Sequence, residues 1–229
     1  MNLMLLPGMD GTGELFEPLV PTLPDTINPI VVSYPGDQKL GYSDLIPFVK
    51  SQIPADEPYV VLGESFSGPI ATSIAADNDD HLRGLIFAAS FIRNPSAALA
   101  LLKRFVPFVS THSSPARFVR NILLGTDRQD IKDLAERSLS KVDPDVVRFR
   151  MLEIEAVDAG AALARVDVPI LYLRASDDRL VFPRSSRAIA KIQPGAQITT
   201  IIGPHLLLQS QPRECADSID QFVERCRGR

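Results

Sequence analysis

The sequence of 229 residues has no tryptophan, only two cysteines and only three histidines. The cysteines and histidines have no spacing that suits a metal site, so no bound metal is expected. The sequence also lacks any apolar run of about 18 residues, so no helix is expected to cross a membrane. Positive charge is not in excess, because the formal net charge is −4. Binding of nucleic acid therefore has no electrostatic support from the chain as a whole.

The remaining composition is typical of a globular protein. Hydrophobic residues make up 45% and charged residues 23% of the chain, which excludes intrinsic disorder. The length fits one domain, or one domain with a sizeable insertion. Charge is unevenly distributed: residues 93–150 contain 11 Lys and Arg against 6 Asp and Glu, whereas the rest contains 13 against 22.

The two cysteines and the first residues bear on the cellular location. Cys215 and Cys226 lie 11 residues apart in a segment with helical periodicity. Along a helix they would be too far apart for a disulfide, so we predict free thiols and a reducing compartment. Residues 1–7 contain no basic segment and only a short apolar run, unlike a signal peptide. We therefore expect a cytoplasmic protein.

Short apolar runs alternate with helical patterns, which predicts a mostly parallel sheet of about six strands flanked by helices. The predicted strands are residues 3–6, 29–34, 59–62, 82–89, 169–173 and 197–202. The predicted helices between and after them are residues 14–23, 43–53, 67–76, 183–192 and 212–226.

The alternation stops between the fourth and fifth strands. Helical periodicity without a clear strand appears there at residues 97–105, 116–124, 131–139 and 144–157. We therefore predict an α/β core of residues 1–91 and 166–229, interrupted by an all-helical cap at residues 92–165. Such a cap would lie over the carboxyl edge of the sheet, where open α/β folds bind ligands.

One motif indicates a candidate catalytic serine. Residues 63–68 read Gly-Glu-Ser-Phe-Ser-Gly and follow a predicted strand. A sharp strand-to-helix turn there would expose Ser65 as a nucleophile, although Ser67 stands where the usual pattern has glycine. An ordinary turn or helix cap is the alternative reading of these residues.

A serine nucleophile needs a base and an acid that orients the base. Of the three histidines, His81 and His112 lie in predicted loops, whereas His205 directly follows the last strand. Asp177 and Asp178 directly follow the fifth strand. The residue types leave the choice between these two aspartates open, because either could instead cap the turn.

Acyl transfer also requires backbone N–H groups that meet the developing oxyanion. We expect one from Phe66, directly after the serine, and one from Met9, in the loop after the first strand. This loop, residues 6–13, contains three glycines. The alternative, a phosphate-binding loop, would need a Lys-Ser/Thr pair or a G-x-G-x-x-G pattern, and the sequence has neither.

These motifs, in this order, resemble the α/β-hydrolase superfamily over nearly the whole chain. The matching segments are residues 6–13, 63–68, 176–181 and 203–205. The family register after the fifth strand implies Asp178 as the acid. Pro7 replaces the family's usual histidine, and the two leading strands of the family core are missing, which implies a compact serine esterase-like or thioesterase-like form.

The resemblance implies a serine hydrolase that cleaves carboxylic esters or thioesters through Ser65, His205 and Asp178 and an acyl-enzyme, without a metal or organic cofactor. An acyltransferase, a lyase or a non-catalytic binding descendant remains an alternative. The expected partner is a small acyl ester or thioester. The basic, partly apolar cap further suggests an acyl chain beneath it and an anionic group near Arg117 and Arg120, although core packing and a solvated face explain the same pattern.

Overall fold

The computed structural model describes residues 1–95, 125 and 128–228. The helices predicted at residues 97–105 and 116–124 lie outside the described residues, as do His112, Arg117 and Arg120. None of the helices within the described ranges is long and apolar enough to span a membrane.

A six-stranded sheet forms the centre of the molecule. Its strands are β1 (Asn2–Leu6), β2 (Asn28–Val31), β3 (Tyr59–Glu64), β4 (Leu82–Ala88), β5 (Ile170–Ala175) and β6 (Gln197–Ile201). They are ordered β2-β1-β3-β4-β5-β6, and every neighbouring pair is parallel. The predicted α/β class is confirmed.

Helices flank the sheet on both faces. They are α1 (Tyr42–Lys50), α2 (Gly68–Ala75), α3 (Gln129–Leu139), α4 (Pro144–Ala156), α5 (Gly160–Leu163), α6 (Arg184–Ile192), α7 (Leu207–Ser210) and α8 (Pro212–Cys226). The predicted boundaries of α8 are confirmed. The helix predicted at residues 14–23 is wrong: the chain forms two short 3₁₀ turns, Glu14–Phe16 and Val20–Thr22. Pro18 and Pro21 lack the N–H groups that a continuous helix would use.

The alternation of side chains along the strands builds two hydrophobic layers. In β1, Met4 and Leu6 enter the layer that also contains α1 and α2, whereas Leu3 and Leu5 face the layer formed with α8. Burial on both faces explains why the central strands read as continuous apolar runs rather than as alternating ones. Cys215 and Cys226 are buried in α8 and, as predicted, are not joined in a disulfide.

The strand order brings the predicted site residues to one edge. The direction of winding changes between β1 and β3, which are neighbours with Leu6 opposite Gly63. Ligands in open α/β sheets bind at such a point, outside the carboxyl ends of the strands. The loop after β1 and the serine after β3 therefore share one crevice, and the segments after β5 and β6 reach the same edge.

Glycine at position 68 is a packing requirement of this architecture. A Cβ atom there would lie 2.1 Å from Ser90 Oγ and 2.5 Å from the Phe91 carbonyl oxygen. We expect Gly68→Ala to lower the free energy of unfolding by about 1–3 kcal/mol, because β4 and α2 would have to separate. Urea denaturation measures this loss. Gly195→Ala is the control, since a Cβ atom there meets nothing within 4 Å; equal effects of the two substitutions would contradict the prediction.

Candidate active site

A strained turn presents Ser65 at the end of β3. Its backbone is left-handed, with φ of 45°, between β3 and a 3₁₀ turn (Ser65–Ser67) that leads into α2. Non-glycine residues adopt this conformation at a cost of order 1–3 kcal/mol, which the surrounding structure must supply. Ser65 remains partly exposed although both of its neighbours are buried. The turn therefore leaves the Ser65 residue accessible within an otherwise buried segment.

Two glycines let the strand and the helix approach each other. A Cβ atom on Gly63 would lie 2.6 Å from the Ser67 carbonyl oxygen, and one on Gly68 would overlap Ser90. Position 67 is not subject to this restriction, because its side chain points to the loop after β1. The glycine that the family pattern expects at position 67 is therefore not needed for backbone packing here.

Three side chains from separate elements form a hydrogen-bonded relay. Ser65 Oγ lies 2.9 Å from His205 Nε2, and His205 Nδ1 lies 2.8 Å from Asp178 Oδ2. The side chains of His205 and Asp178 are only 7% and 3% exposed. Because the carboxylate accepts from Nδ1–H, Nε2 carries a lone pair that can accept the Ser65 proton.

The two adjacent aspartates differ in their contacts. The second carboxylate oxygen of Asp178 accepts hydrogen bonds from the backbone N–H groups of Leu180 and Val181, at 2.8 Å each. Asp177 is exposed and accepts a hydrogen bond from the neighbouring Ser176 hydroxyl. The geometry brings Asp178, and not Asp177, to the histidine.

The environment of His205 changes its protonation. Burial lowers the pKa of the imidazole, but the charge and hydrogen bond of Asp178 and the charge of Glu64 act against burial and together raise the pKa above its ordinary value. The site thus favours the imidazolium, the species that forms when the histidine takes a proton from serine.

One predicted oxyanion donor, Phe66, follows Ser65 directly, and the other, Met9, lies in the loop after β1, where a Cβ atom on Gly8 would lie 3.9 Å from Ser65 Cβ. Phe66 is in the first turn of its 3₁₀ helix, where N–H groups have no helical acceptor. The Met9 N–H donates to no acceptor within the described part of the chain, whereas the Gly8 carbonyl on the same peptide accepts from Gly11 N–H at 3.1 Å. Both amides are available to a bound oxygen.

Two departures from the family pattern contact each other. The buried Ser67 hydroxyl donates to the Pro7 carbonyl and lies 2.7 Å from the Tyr34 hydroxyl. Because Ser67 uses its only proton on Pro7, Tyr34 must donate to Ser67. The support that the usual histidine gives to this loop is thus replaced by a hydroxyl from the serine turn.

Sequence reasoning missed a buried carboxyl group beside Ser65. Glu64 is 3% exposed, and its Oε1 accepts from Gln209 Nε2 at 2.8 Å. Burial raises the pKa of Glu64 to about 7, with Asp10 adding to the shift and Gln209 and His205 opposing it. The signal was a charged residue inside a strand that is otherwise apolar.

Further contacts hold the strained turn in place. The Ser65 carbonyl accepts from Ser90 Oγ at 2.5 Å, and the Phe66 carbonyl accepts from the Tyr42 hydroxyl at 3.2 Å. The Tyr42 ring also stacks on Phe66, with centroids 4.7 Å apart. Polar residues of these kinds are common everywhere, so the sequence alone did not single them out.

The other described histidine lies away from this relay. His81 is partly exposed and sits 3.9 Å from Asp56, which agrees with its predicted place in a polar loop. The described ranges also contain no group of three or more His, Cys, Asp or Glu side chains suited to hold a metal ion.

Comparison with known proteins shows similarity along nearly the whole chain. The family model described as serine aminopeptidase, S33, matches residues 41–207. A pimeloyl-[acyl-carrier protein] methyl ester esterase from Stenotrophomonas maltophilia is 30% identical, covering 97% of this chain and 92% of that protein. A protein of the same name from Neisseria meningitidis is 27% identical, covering 86% and 83%.

Solved structures share the fold at low sequence identity. The enol-lactonase from Burkholderia xenovorans LB400 superposes with a TM-score of 0.83 at 15% identity, over 97% of this chain and 91% of that one. A lipase-esterase related protein from Clostridium acetobutylicum superposes with a TM-score of 0.80 at 18% identity, over 96% and 93%.

The Glu64 carboxylate gives a testable effect on pH dependence. Its negative charge raises the pKa of His205, so Glu64→Gln should lower that pKa and extend the neutral imidazole to lower pH. We expect the acidic limb of the kcat/KM profile for a neutral ester to move to lower pH. The exposed Glu224→Gln is the control and should leave the limb in place. A limb unmoved by Glu64→Gln, or moved to higher pH, would contradict the prediction.

Proposed function

The chain belongs to the α/β-hydrolase superfamily and is a serine ester hydrolase, and from this premise we propose that Ser65, His205 and Asp178 form its catalytic triad. The observation that carries the proposal is the continuous relay of 2.9 and 2.8 Å from Ser65 through His205 to Asp178. The partly exposed hydroxyl, the buried base and the buried acid suit the three roles.

The proposed reaction has two halves. His205 Nε2 takes the Ser65 proton while Oγ attacks the ester carbonyl, and Asp178 stabilises the imidazolium. The carbonyl oxygen becomes anionic and accepts hydrogen bonds from Met9 and Phe66 N–H. The imidazolium then protonates the departing alcohol, which leaves an acyl-enzyme. Water, deprotonated by the same histidine, hydrolyses this ester and restores Ser65.

The substrate we propose is a methyl ester at one end of an acyl chain whose other end is attached to a carrier through a thioester. Support comes from the names of the relatives that match most of this chain. The excess of Lys and Arg in residues 93–150 is compatible with an acidic carrier, because complementary charge speeds association. Direct cleavage of thioesters remains the second candidate.

We retain two further points as proposals. The division into a core of residues 1–91 and 166–229 and a helical cap of residues 92–165 is supported by α3, α4 and α5, which lie between β4 and β5 without a strand in residues 128–166. A cytoplasmic location is supported by the two cysteines, Cys215 and Cys226, which are not joined in a disulfide.

Matched substitutions test which of the two adjacent aspartates acts as the acid of the proposed triad. We expect Asp178→Asn to lower kcat by about 10,000-fold, because the histidine loses the acid that fixes its tautomer, and Asp177→Asn to change kcat less than threefold. Ser65→Ala should abolish turnover and labelling by a fluorophosphonate. The measurements are p-nitrophenyl acetate hydrolysis and mass spectrometry of the labelled protein. Loss of activity in Asp177→Asn with activity retained in Asp178→Asn would overturn the assignment.

A single carrier-bound methyl half-ester tests the substrate, because it contains both candidate bonds. We expect mass spectrometry to show loss of the methyl group with the acyl chain still on the carrier. The kcat/KM should exceed that of the free dimethyl ester at least tenfold at low salt, and added salt should reduce the advantage. Release of the whole acyl chain from the carrier would instead support the thioesterase. Equal rates on free and carrier-bound esters would remove the carrier from the proposal.

A further inference from the structure

Arg150 is an unusual residue within the helical segment between β4 and β5. It is fully buried in α4, on the same helix face as Val146 and Ile154. Nowhere in the described part of the chain does it form an ion pair with a carboxylate. Burying an unpaired charge is costly unless strong hydrogen bonds replace its water, so the contacts of this guanidinium must be substantial.

The guanidinium binds three backbone carbonyls. Nη1 donates to the Met9 and Asp10 carbonyls at 3.1 and 3.0 Å, and Nη2 donates to the Pro35 carbonyl at 2.9 Å. The group also lies over the Tyr34 ring, 5.7 Å from its centroid. It also packs against Gly11, where a Cβ atom would overlap Nη1. Arg150 is thus inserted into the loop after β1.

Every carbonyl from Pro7 to Asp10 has a donor, and Arg150 supplies two of them. The Ser67 hydroxyl donates to the Pro7 carbonyl, and the Gly11 N–H donates to the Gly8 carbonyl. Arg150 donates to the Met9 and Asp10 carbonyls. In a trans peptide the N–H points away from the C=O. Fixing the carbonyls on both sides of Met9 therefore fixes the direction of its N–H.

We propose that Arg150 is a positioning residue, which holds the Met9 N–H in the orientation that stabilises the oxyanion. The inference rests on the proposed function, since it assigns Met9 as an oxyanion donor. Arg150 does not touch the substrate: it acts through the loop. The cap thereby supplies part of the alignment of the catalytic core.

A second cap residue holds the same loop. Ser138, buried in α3, donates to Asp10 Oδ2 at 2.8 Å, and the same carboxylate oxygen accepts from Thr12 Oγ1 at 2.7 Å. Asp10 therefore receives Arg150 on its carbonyl and Ser138 on its side chain. Ser138→Ala removes one of these hydrogen bonds and only a single oxygen atom, so it tests the same loop with little loss of packing.

The test compares Arg150→Gln and Arg150→Lys with the wild type. We measure kcat and KM for p-nitrophenyl acetate and the Ki of a trifluoromethyl ketone. The ketone accepts Ser65 Oγ, passes the serine proton to His205 and leaves an oxyanion between the two amides. We expect Arg150→Gln to lower kcat about 10–100-fold with KM within about threefold, and to raise Ki by the same factor as kcat falls.

The Ki separates alignment from general damage. An irreversibly inactive fraction lowers the apparent kcat but leaves Ki unchanged, whereas a reversible unfolding equilibrium raises KM and Ki by one factor and leaves kcat unchanged. Only a loss of alignment lowers kcat and raises Ki while KM stays nearly constant. Arg150→Lys keeps the charge, yet a single ammonium cannot bind three carbonyls in a fixed plane, so its effect should be intermediate. The exposed Arg148→Gln, on the same helix with the same loss of charge, is the matched control and should leave kcat and Ki unchanged.

Two outcomes would overturn the inference. One is a folded Arg150→Gln whose kcat and Ki stay within twofold of the wild type. If that variant does not fold, unchanged Ki values in both Arg150→Lys and Ser138→Ala would overturn it equally. Fluorophosphonate labelling of wild-type Ser65 distinguishes a failure of the proposed function from a failure of the role assigned to Arg150. Failure of this labelling would count against the proposed function, whereas normal labelling with unaffected Arg150 variants would count against the role of Arg150 alone.

Discussion

The left-handed backbone of Ser65 is the constraint on which the rest of the site depends. Here the strand that ends in this conformation turns at once into a helical segment, which requires close contact between β3 and α2. Gly63 and Gly68 allow that contact, and Ser90 and Tyr42 hold the carbonyls of the turn. The strain is thus distributed over several neighbours, and the result is a single hydroxyl that a substrate can reach.

Electrostatics around this turn combines two opposing effects. Burial disfavours charge on His205 and on Glu64, but each lies near a group that favours its charged form. Asp178 contacts the imidazole directly, whereas Glu64 acts on the imidazole through its charge. Glu64, with a pKa of about 7, and His205, with a raised pKa, interact through their charges, so their titrations are coupled. The pH response of the site therefore reflects the titration of both Glu64 and His205, and not of the histidine alone.

Much of the fold and the order of the relay could be predicted from the sequence, because they depend on local patterns. Apolar runs marked the strands, and Ser65, Asp178 and His205 each follow one. The same patterns failed at residues 14–23, where prolines interrupt a helical spacing. The roles of Ser67 and Glu64 depend on contacts between distant segments, which no local pattern contains. Arg150 did leave a signal, since it sits four residues from both Val146 and Ile154 on one buried helix face.

The proposed boundary between core and cap marks a change of secondary structure, and several side-chain contacts cross it. Arg150 and Ser138 reach into the loop after β1, and Glu153 accepts a hydrogen bond from the first residue of α1, Tyr42. Exchanging residues 92–165 for the corresponding segment of another protein would remove the Arg150 donors of three carbonyls, those of Met9, Asp10 and Pro35. A chimera with a foreign segment at residues 92–165 would therefore need an arginine at the position equivalent to Arg150. Without it, the loop after β1 would lose its alignment whatever substrate pocket the new segment formed.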